Sequence, residues 1–455
     1  MLDLTELVGL PRPDLVAGLA RCYPEAAGRP TQEDVDAAVG LWARGGRGPA
    51  LDRLAAIDPE RYERTRNHVG GAVTRLSPWL RHGVLSLAEV RDAALARVRQ
   101  PEDAAKLISE LGWRDYWQQV YAAVGSRIHE SLEPPARGSC VPPVDEVPAD
   151  VLAARTGMEC IDAFVRQLHR TGWLHNHERM WLASWLVHVR GVRWQAGADW
   201  FLKQLLDADP ASNHLSWQWV AGTFSAKPYI FNRENLETFT AGVHCAPCGL
   251  RGRCSLEGSY DDLSARWFVA GEAPPRAPLR IPPPAAADVV ETAAMRRPLV
   301  WLTLDAVGGT SPAPAAHPTA ARLFVIDPAW IAAERPSLNR LVFLFECLGD
   351  SRGVEVLVGE PRDVVPARAR AHGCDGVVLT ETPCPRVRRA AAAIHAPATA
   401  AAGVAEGGLA LPVAMLPWPR FCDRSRVKDI GRFSRFWQQV SHSAMQPTTK
   451  PTPKP

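Results

Sequence analysis

The sequence has no apolar run long enough to span a bilayer, and it therefore predicts no transmembrane helix. Its first residues, MLDLTELVGLPRPDL, lack the basic start and apolar run of a signal peptide, so we expect a cytoplasmic protein without a membrane partner. A strong charge of one sign is also missing, since 52 Lys and Arg against 49 Asp and Glu leave a net charge of +3. That balance permits a local basic patch without requiring a nucleic-acid partner. We expect a monomer.

Disulfides are not expected either, because the ten cysteines of a cytoplasmic chain are more often thiols or metal ligands. Three of them stand in HCAPCGLRGRC, residues 244–254. The pattern C-x-x-C, followed after five residues by a further Cys, has the spacing of metal ligands. A fourth ligand would be needed. An iron–sulfur cluster, structural zinc and free thiols all stay open at this point.

Composition divides the chain into a helical part and a later α/β part. Proline and alanine dominate residues 272–296, which we interpret as a linker. The predicted segments are an N-terminal helical segment (1–60), a helical domain (61–271), this linker, an α/β domain (297–400), a segment with a basic helix (401–445) and a disordered tail (446–455).

Short apolar runs alternate with helical segments after the linker. The runs at 299–304, 322–327, 354–358 and 376–380 have the length of buried strands, and 338–348 and 364–372 have helical spacing. Such alternation predicts a parallel, Rossmann-like sheet.

Residues 425–440 have the pattern of a basic amphipathic helix. Its region carries Arg424, Arg426, Lys428, Arg432 and Arg435. The helix could dock on the helical domain or contact phosphates, although a solvated charged face is the more common role.

Residues 171–219 are rich in tryptophan, with polar residues between the rings. The tryptophans are Trp173, Trp181, Trp185, Trp194, Trp200, Trp217 and Trp219. An aromatic helical core is the usual interpretation of such a stretch. Here the polar side chains would have to be buried among the rings, and buried charge needs a partner. A flavin would provide one, because its ring carries N–H donors for carboxylates.

The same stretch resembles the flavin-binding domain of the photolyase/cryptochrome family. The likeness lies in TGWLHNHERM, DADPASN, WQWVAGT and KPYIFN, in the order and at the spacing of that family. Upstream, TRLSPWL resembles the family's phosphate loop, and ELGWRDYW resembles its Glu-x-x-Trp-Arg motif. The resemblance implies a mainly α FAD-binding domain. The residues that it implies for FAD are Tyr62, Thr74, Arg75, Leu76, Ser77, Arg114, Arg179, Asp207, Asp209 and Asn213.

The resemblance also implies roles in the repair of DNA that contains pyrimidine dimers. Glu110 would reach a lesion base, while Trp113 and Trp219 would clamp it from two sides. Asn176 and Met180 would lie at the face that contacts DNA, and Asn213 would face flavin N5. A methionine at position 180 is the pattern of family members that act on cyclobutane dimers.

The family passes an electron to the flavin along three tryptophans. Trp217 and Trp194 match the inner and middle rings, but residues 118–172 contain no tryptophan to match the outer one. Trp181, Trp185 and Trp200 are candidates for that step, although core packing is the more common role of such rings.

The cysteines resemble those of an iron–sulfur branch of the family. That likeness implies a [4Fe–4S] cluster on Cys160, Cys245, Cys248 and Cys254, with zinc as the rival. The spacing to the last cysteine is shorter than in that branch.

The order of the two domains departs from the family. Residues 298–390 resemble the α/β antenna domain that usually comes first, which suggests a circular permutation joined at the linker. The opening loop of this domain lacks the usual arginine-rich signature. This absence counts against an antenna pigment, so a pigment of unknown identity and a purely structural α/β domain are both open.

The resemblance implies a light-driven enzyme that transfers an electron from reduced FAD to cyclobutane pyrimidine dimers in DNA. A cryptochrome-like photoreceptor without repair activity is the first alternative. A flavin and iron–sulfur redox protein that works in the dark is the second.

Overall fold

A computed structural model describes residues 2–23, 28–270, 276–284, 295–395 and 411–448. Most of the predicted linker, residues 401–410 and most of the predicted tail lie outside these ranges. No helix among the described residues has both the length and the apolar character needed to cross a membrane.

Helices form the part of the chain before the linker, apart from one short N-terminal strand. The longest, α7, spans Ala105–Val124 and buries its apolar face in the main core. The others are α1 (Arg12–Arg21), α2 (Gln32–Val39), α3 (Arg47–Ala55), α4 (Pro59–Thr65), α5 (Ser77–Arg81), α6 (Leu87–Leu95), α8 (Ala149–Leu152), α9 (Glu159–Thr171), α10 (Asn176–Ser184), α11 (Trp194–Gln204), α12 (Pro210–Ala221), α13 (Arg233–Thr240) and α14 (Tyr260–Trp267).

The sheet has six strands in the order β1-β4-β3-β2-β5-β6, and β2 to β6 are parallel. The strands are β1 (Leu2–Asp3), β2 (Pro298–Leu302), β3 (Arg322–Ile326), β4 (Val354–Val358), β5 (Gly376–Thr380) and β6 (Val413–Leu416). The later helices are α15 (Pro312–Ala316), α16 (Pro328–Glu334), α17 (Leu338–Leu348), α18 (Pro361–Ala371), α19 (Pro385–His395) and α20 (Phe433–Ala444).

The central strands are mostly apolar, as expected for a parallel sheet with both faces covered. Every residue of β2 and of β5 is buried, which is what a doubly covered parallel sheet requires. The predicted parallel sheet is confirmed. One predicted helix, 364–372, begins earlier, because Pro361 occupies its first position, where no backbone N–H is needed.

The first residues of the chain complete the sheet, which the sequence did not indicate. Strand β1 pairs antiparallel with β4, and Leu4 N donates to Val356 O at 2.9 Å. Behind it, the buried Arg12 guanidinium lies 2.7 Å from Glu346 on α17. The N-terminal helices therefore pack against the α/β part of the molecule as well as the helical part.

The turn after α5 holds the helical part against the end of β2. His82 Nδ1 lies 2.8 Å from Leu304 O, and Val307 N donates to His82 O at 3.0 Å. Gly83 has φ +63°, and a Cβ there would lie 2.6 Å from Asp305 O. Only glycine allows the two backbones to approach this closely.

The predicted basic helix at 425–440 was wrong at its N-terminus, because α20 begins at Phe433. Arg432 is the residue before its first turn, and it lies 2.7 Å from the buried Glu133. Arg424 lies 3.3 Å from Asp115 of α7. These arginines pair with the helical part of the molecule, so the region is a docked segment rather than a solvated charged face.

We expect the protein to lose stability as the pH falls below 6.5, through its buried histidines. Burial, with the nearby charge of Arg81, lowers the pKa of His82 to about 3. Burial likewise lowers the pKa of His175 and of His188 to about 4. Between pH 6.5 and these lowered pKa values, the unfolded chain binds protons at the three histidines, but the folded chain does not. Each of these histidines therefore lowers the free energy of unfolding by about 1.4 kcal/mol for each pH unit.

Urea unfolding at pH 7 and pH 5 measures this loss. His82→Gln, which can still donate to Leu304 O, is expected to show a smaller difference between the two pH values than the wild type. The exposed His442→Ala is the control and should match the wild type. An unchanged pH dependence in His82→Gln would contradict the role of His82.

Candidate flavin and metal sites

A cavity of about 330 Å³ lies between α5, α7, α10 and α12. Most of the predicted FAD and repair residues line it, although they come from segments up to 155 positions apart in the chain. Those lining residues are Tyr62, Thr74, Arg75, Leu76, Ser77, Glu110, Trp113, Arg114, Asn176, Arg179, Met180, Asp207, Asn213 and Trp217.

The loop before α5 places a cation in the wall of this cavity. Arg75 has φ +53°, a conformation that non-glycine residues rarely adopt. Its guanidinium lies 4.2 Å from the centre of the Trp173 ring, where the face of the indole attracts it. Strained backbone that is held in place by packing is common where a protein binds a ligand. The loop can therefore present a fixed positive charge to an anionic group.

An ion pair between α10 and the loop before α12 leaves one carboxylate oxygen unused. Arg179 Nη2 lies 3.0 Å from Asp207 Oδ2, and Arg179 Nε donates to Leu174 O at 3.0 Å. Asp207 Oδ1 is buried and has no hydrogen-bond partner among the described residues. A buried acceptor without a donor is costly. The N–H or hydroxyl groups of a flavin are donors of the kind that this oxygen needs.

Asp209, which the resemblance also implies for FAD, is held by its own neighbours at the start of α12. It caps α12 and accepts hydrogen bonds from Ser212 Oγ at 2.6 Å and Gln118 Nε2 at 2.7 Å. Burial alone would raise the pKa of this carboxyl, but the charges of Arg114 and Arg81 and these hydrogen bonds hold it below its usual value. Asp209 lines a second cavity rather than the first. Its predicted contact with FAD stays a prediction.

Helix α12 carries Asn213 and Trp217 into the cavity wall. Asn213 Nδ2 donates to Ala198 O at 2.8 Å, which leaves the amide oxygen as the group that can turn to a ligand. Trp217 lies so close to α11 that a Cβ on Gly197 would be 2.3 Å from its Cη2. The two side chains are therefore fixed by α11 before any ligand binds.

The predicted lesion-contacting residues on α7 are both held by neighbours. Glu110 lies 2.9 Å from Lys106 Nζ and 3.3 Å from Arg66 Nη1. Trp113 stacks on Phe433 of α20, with ring centres 3.7 Å apart and planes at 15°. Sequence reasoning missed Phe433. The spacing of aromatic residues in FSRFWQQV was the only signal for it.

The other predicted contacts divide between the cavity and its surroundings. Asn176 Nδ2 lies 3.3 Å from Met180 Sδ, so these two side chains adjoin on the cavity wall. Trp219 is not among the lining residues, and its ring instead lies 5.7 Å from that of Tyr229. The structure does not bring Trp219 opposite Trp113 around this cavity.

The two tryptophans predicted for the electron relay, Trp217 and Trp194, are both buried. Trp217 reaches the cavity, and Trp194 Nε1 lies 3.1 Å from Ser131 Oγ. The three candidates for the outer ring, Trp181, Trp185 and Trp200, are 0%, 2% and 7% exposed. An outermost ring has to meet solvent, so this burial favours core packing for all three.

The structure brings the four predicted cysteine ligands around one small cavity. Cys160, at the start of α9, meets Cys245, Cys248 and Cys254 from the segment after α13. Burial raises the pKa of the Cys245 thiol to about 11. Among the described residues, no three of these sulfurs lie within 4.8 Å of one another. The donor set, four cysteines around one small cavity, is that of a metal site.

The second cavity, of about 240 Å³, lies where α12 meets the carboxyl ends of the parallel strands. Thr303 and Leu304 after β2, Asp327 after β3 and Cys384 after β5 line it. Small-molecule sites of open parallel sheets lie at this end of the strands.

Comparison with known proteins agrees with the first site. A family model described as the FAD binding domain of DNA photolyase matches residues 107–241. A deoxyribodipyrimidine photo-lyase of Streptomyces griseus is 38% identical over 154 residues, 34% of this chain and 33% of that protein. One from Agrobacterium fabrum is 34% identical over 217 residues, 42% of each chain. A cryptochrome DASH of Ostreococcus tauri is 34% identical over 187 residues, 40% of this chain and 33% of that protein.

Among solved structures, a bacterial class III photolyase from Agrobacterium tumefaciens aligns with a TM-score of 0.38 and 30% identity, over 45% of this chain and 44% of that one. The cavity and the matched domain together define an FAD-binding protein. The chain carries an FAD-binding domain of the photolyase/cryptochrome family. It spans between 33% and 42% of the length of the curated relatives named above.

We expect Asp207→Asn to weaken FAD binding about tenfold, because the substitution removes a charged acceptor worth about 1.5 kcal/mol. Titration of FAD into flavin-free protein, followed by flavin fluorescence, measures the change. Asp150→Asn is the matched control, since it removes a carboxylate paired with Arg190 at 2.9 Å, outside this cavity. Equal FAD affinity in the two variants would show that Asp207 does not face the cofactor.

Proposed function

We propose that the protein repairs cyclobutane pyrimidine dimers in DNA in a light-dependent reaction. The observation that supports this proposal is that the residues predicted for the lesion and for the flavin line one cavity. Glu110, Trp113 and Met180 line the same cavity as Arg179 and Asp207, so a lesion and a flavin could meet there. The relatives named as deoxyribodipyrimidine photo-lyases support the same activity.

The residues that would hold FAD are those with unmet or fixed polar groups. Asp207 Oδ1 would accept from the cofactor, the Arg75 guanidinium would pair with its phosphates, and the Asn213 amide would face its ring. When bound in the reduced state, FAD supplies the light-driven electron that opens the cyclobutane ring and is then returned.

The residues on α7 would orient the lesion. Trp113 would present one face to a flipped-out base while Phe433 supports the other. Once protonated, the Glu110 carboxyl would donate a hydrogen bond to the base and stabilise negative charge on it. Lys106 and Arg66 hold the Glu110 carboxylate at the cavity wall until a base takes their place.

The cysteine geometry supports an iron–sulfur cluster over zinc. Tetrahedral zinc with Zn–S bonds of about 2.3 Å needs its four sulfurs about 3.8 Å apart. No three of the four sulfurs come within 4.8 Å of one another. A four-iron cluster holds each sulfur on a different iron and so needs a wider set. We assign Cys160, Cys245, Cys248 and Cys254 as the ligands of a [4Fe–4S] cluster.

The sheet supports a circular permutation and an antenna domain. The order β4-β3-β2-β5-β6 is that of a doubly wound nucleotide-binding sheet, and it follows the flavin-binding helices in the chain. The second cavity could hold a light-harvesting pigment at the carboxyl ends of these strands. The residues give no identity for such a pigment.

A photoreceptor without repair activity is the second candidate. It is favoured by the relatives named cryptochrome DASH, which have an identity to this chain similar to that of the photo-lyases. Both candidates use the flavin cavity, so a repair assay separates them.

We expect the protein loaded with reduced FAD to restore dimer-containing single-stranded oligonucleotides under blue light, but not in the dark. Glu110→Ala should lower repair per absorbed photon about tenfold, since the lost hydrogen bond to a charged group is worth about 1.4 kcal/mol. Chromatography of the oligonucleotide products, at equal FAD content, measures both effects.

The exposed Glu102→Ala is the matched control and should repair like the wild type. Equal repair by Glu110→Ala would contradict the role of Glu110 alone. A wild-type protein with full FAD and no repair would contradict the enzyme and favour the photoreceptor.

We expect about four iron atoms per chain in protein purified without oxygen. Cys160→Ser should lose most of the iron, because it removes the one ligand that α9 contributes. Elemental analysis measures both, and Cys374→Ser, in the α/β part, is the control. One zinc per chain in place of iron would refute the cluster assignment.

A further inference from the structure

Two histidines and an aspartate meet beside α12. His129 ends the turn after α7, Asp199 lies on α11 and His214 lies on α12. His129 Nδ1 lies 3.1 Å from His214 Nε2, and that nitrogen lies 3.5 Å from Asp199 Oδ1. One ligand atom from each residue falls within 4.8 Å of the other two.

These separations suit a single ion. Zinc bonds of about 2.0–2.1 Å in a tetrahedral shell place neighbouring ligand atoms about 3.3–3.4 Å apart. The two measured distances lie close to this value, on either side of it. Two imidazoles with one carboxylate select zinc and similar transition metals over magnesium or calcium, which prefer oxygen ligands.

The surroundings prepare the histidines as ligands. His214 is 1% exposed, so packing fixes its ring with Nε2 next to His129 Nδ1 and Asp199 Oδ1. A bound cation would also give the Asp199 carboxylate a charge partner inside the cluster.

Access comes from the second cavity. His129 and Asp199 are exposed and line that cavity, while His214 closes the site from behind. An ion could enter from the cavity, and its fourth position would face the cavity space. Three protein ligands with one open position are the arrangement of zinc sites that exchange a water or a ligand.

We propose that His129, Asp199 and His214 bind a divalent transition-metal ion, with zinc as the best fit. The site is separate from the cysteine cluster and does not depend on the flavin or on DNA. Its location does place it beside the predicted relay, because the rings of His214 and Trp194 have centres 6.0 Å apart. A bound ion would put positive charge next to that indole.

Zinc is the probe for this site. The full-length protein, with FAD and its cysteine site as purified, is dialysed against buffered free zinc in excess magnesium, and bound zinc is counted by elemental analysis. We expect one zinc more per wild-type chain than per chain of His129→Ala or Asp199→Ala. We expect each variant to bind this zinc at least tenfold more weakly, since even the loss of an outer partner costs that much.

The controls separate the site from other zinc binding and from unfolding. His442→Ala, which removes an exposed histidine on α20, should bind zinc like the wild type. Any zinc bound at the cysteines would be the same in every variant, so it would not affect the difference in bound zinc between wild type and variants. Because His129 and Asp199 are exposed, both variants should keep the flavin content and melting temperature of the zinc-free wild type. Zinc should then raise the melting temperature of the wild type alone.

The proposal is overturned if wild type, His129→Ala and Asp199→Ala retain the same zinc at every free concentration. It is equally overturned if magnesium displaces the difference. The two histidines would then share only a hydrogen bond.

Discussion

The buried carboxylate of Asp209 is the group on which both cavities depend. It caps α12, accepts from Gln118 of α7 and lies between the guanidinium groups of Arg114 and Arg81. Arg114 reaches the first cavity and Arg81 the second. A buried charge with two cations and several donors is stable only if these partners stay in place. The carboxylate thus ties α7 to the start of α12, the two helices that bring Trp113 and Asn213 to the first cavity.

The elements around this carboxylate show which interactions are strong and which are adaptable. Gly197 lies against the Trp217 ring and Gly83 against the backbone of Asp305, both closer than a Cβ atom would allow. These two contacts fix the distances between the elements. By contrast, Glu110 pairs with Lys106 and Asn176 contacts Met180, and a ligand can replace both of these partners. The elements behind the flavin site are therefore fixed by close contacts, whereas the side chains on its cavity wall have partners that a ligand can replace.

Much of this arrangement could be predicted from the sequence, because local patterns determine it. Apolar runs of five residues gave the strands, and family motifs gave the residues that line the cavity. The pairing of β1 with β4 and the stacking of Phe433 on Trp113 could not be predicted, since they join residues more than 300 positions apart. The position of Trp219 also escaped, because helical spacing tells which residues share a face but not what that face meets.

The docking of α20 has a consequence for how the chain can be divided. This helix follows the sheet in sequence, yet it packs on α7 and supports the ring of Trp113. At the other end, α1 is joined to α17 through Arg12 and Glu346. Division of the gene at the proline-rich linker would give two protein fragments. The first would lack α20, which packs on α7, and the second would lack α1, which is joined to α17. The two halves can be exchanged or expressed only together, even though their sequences look like separate modules.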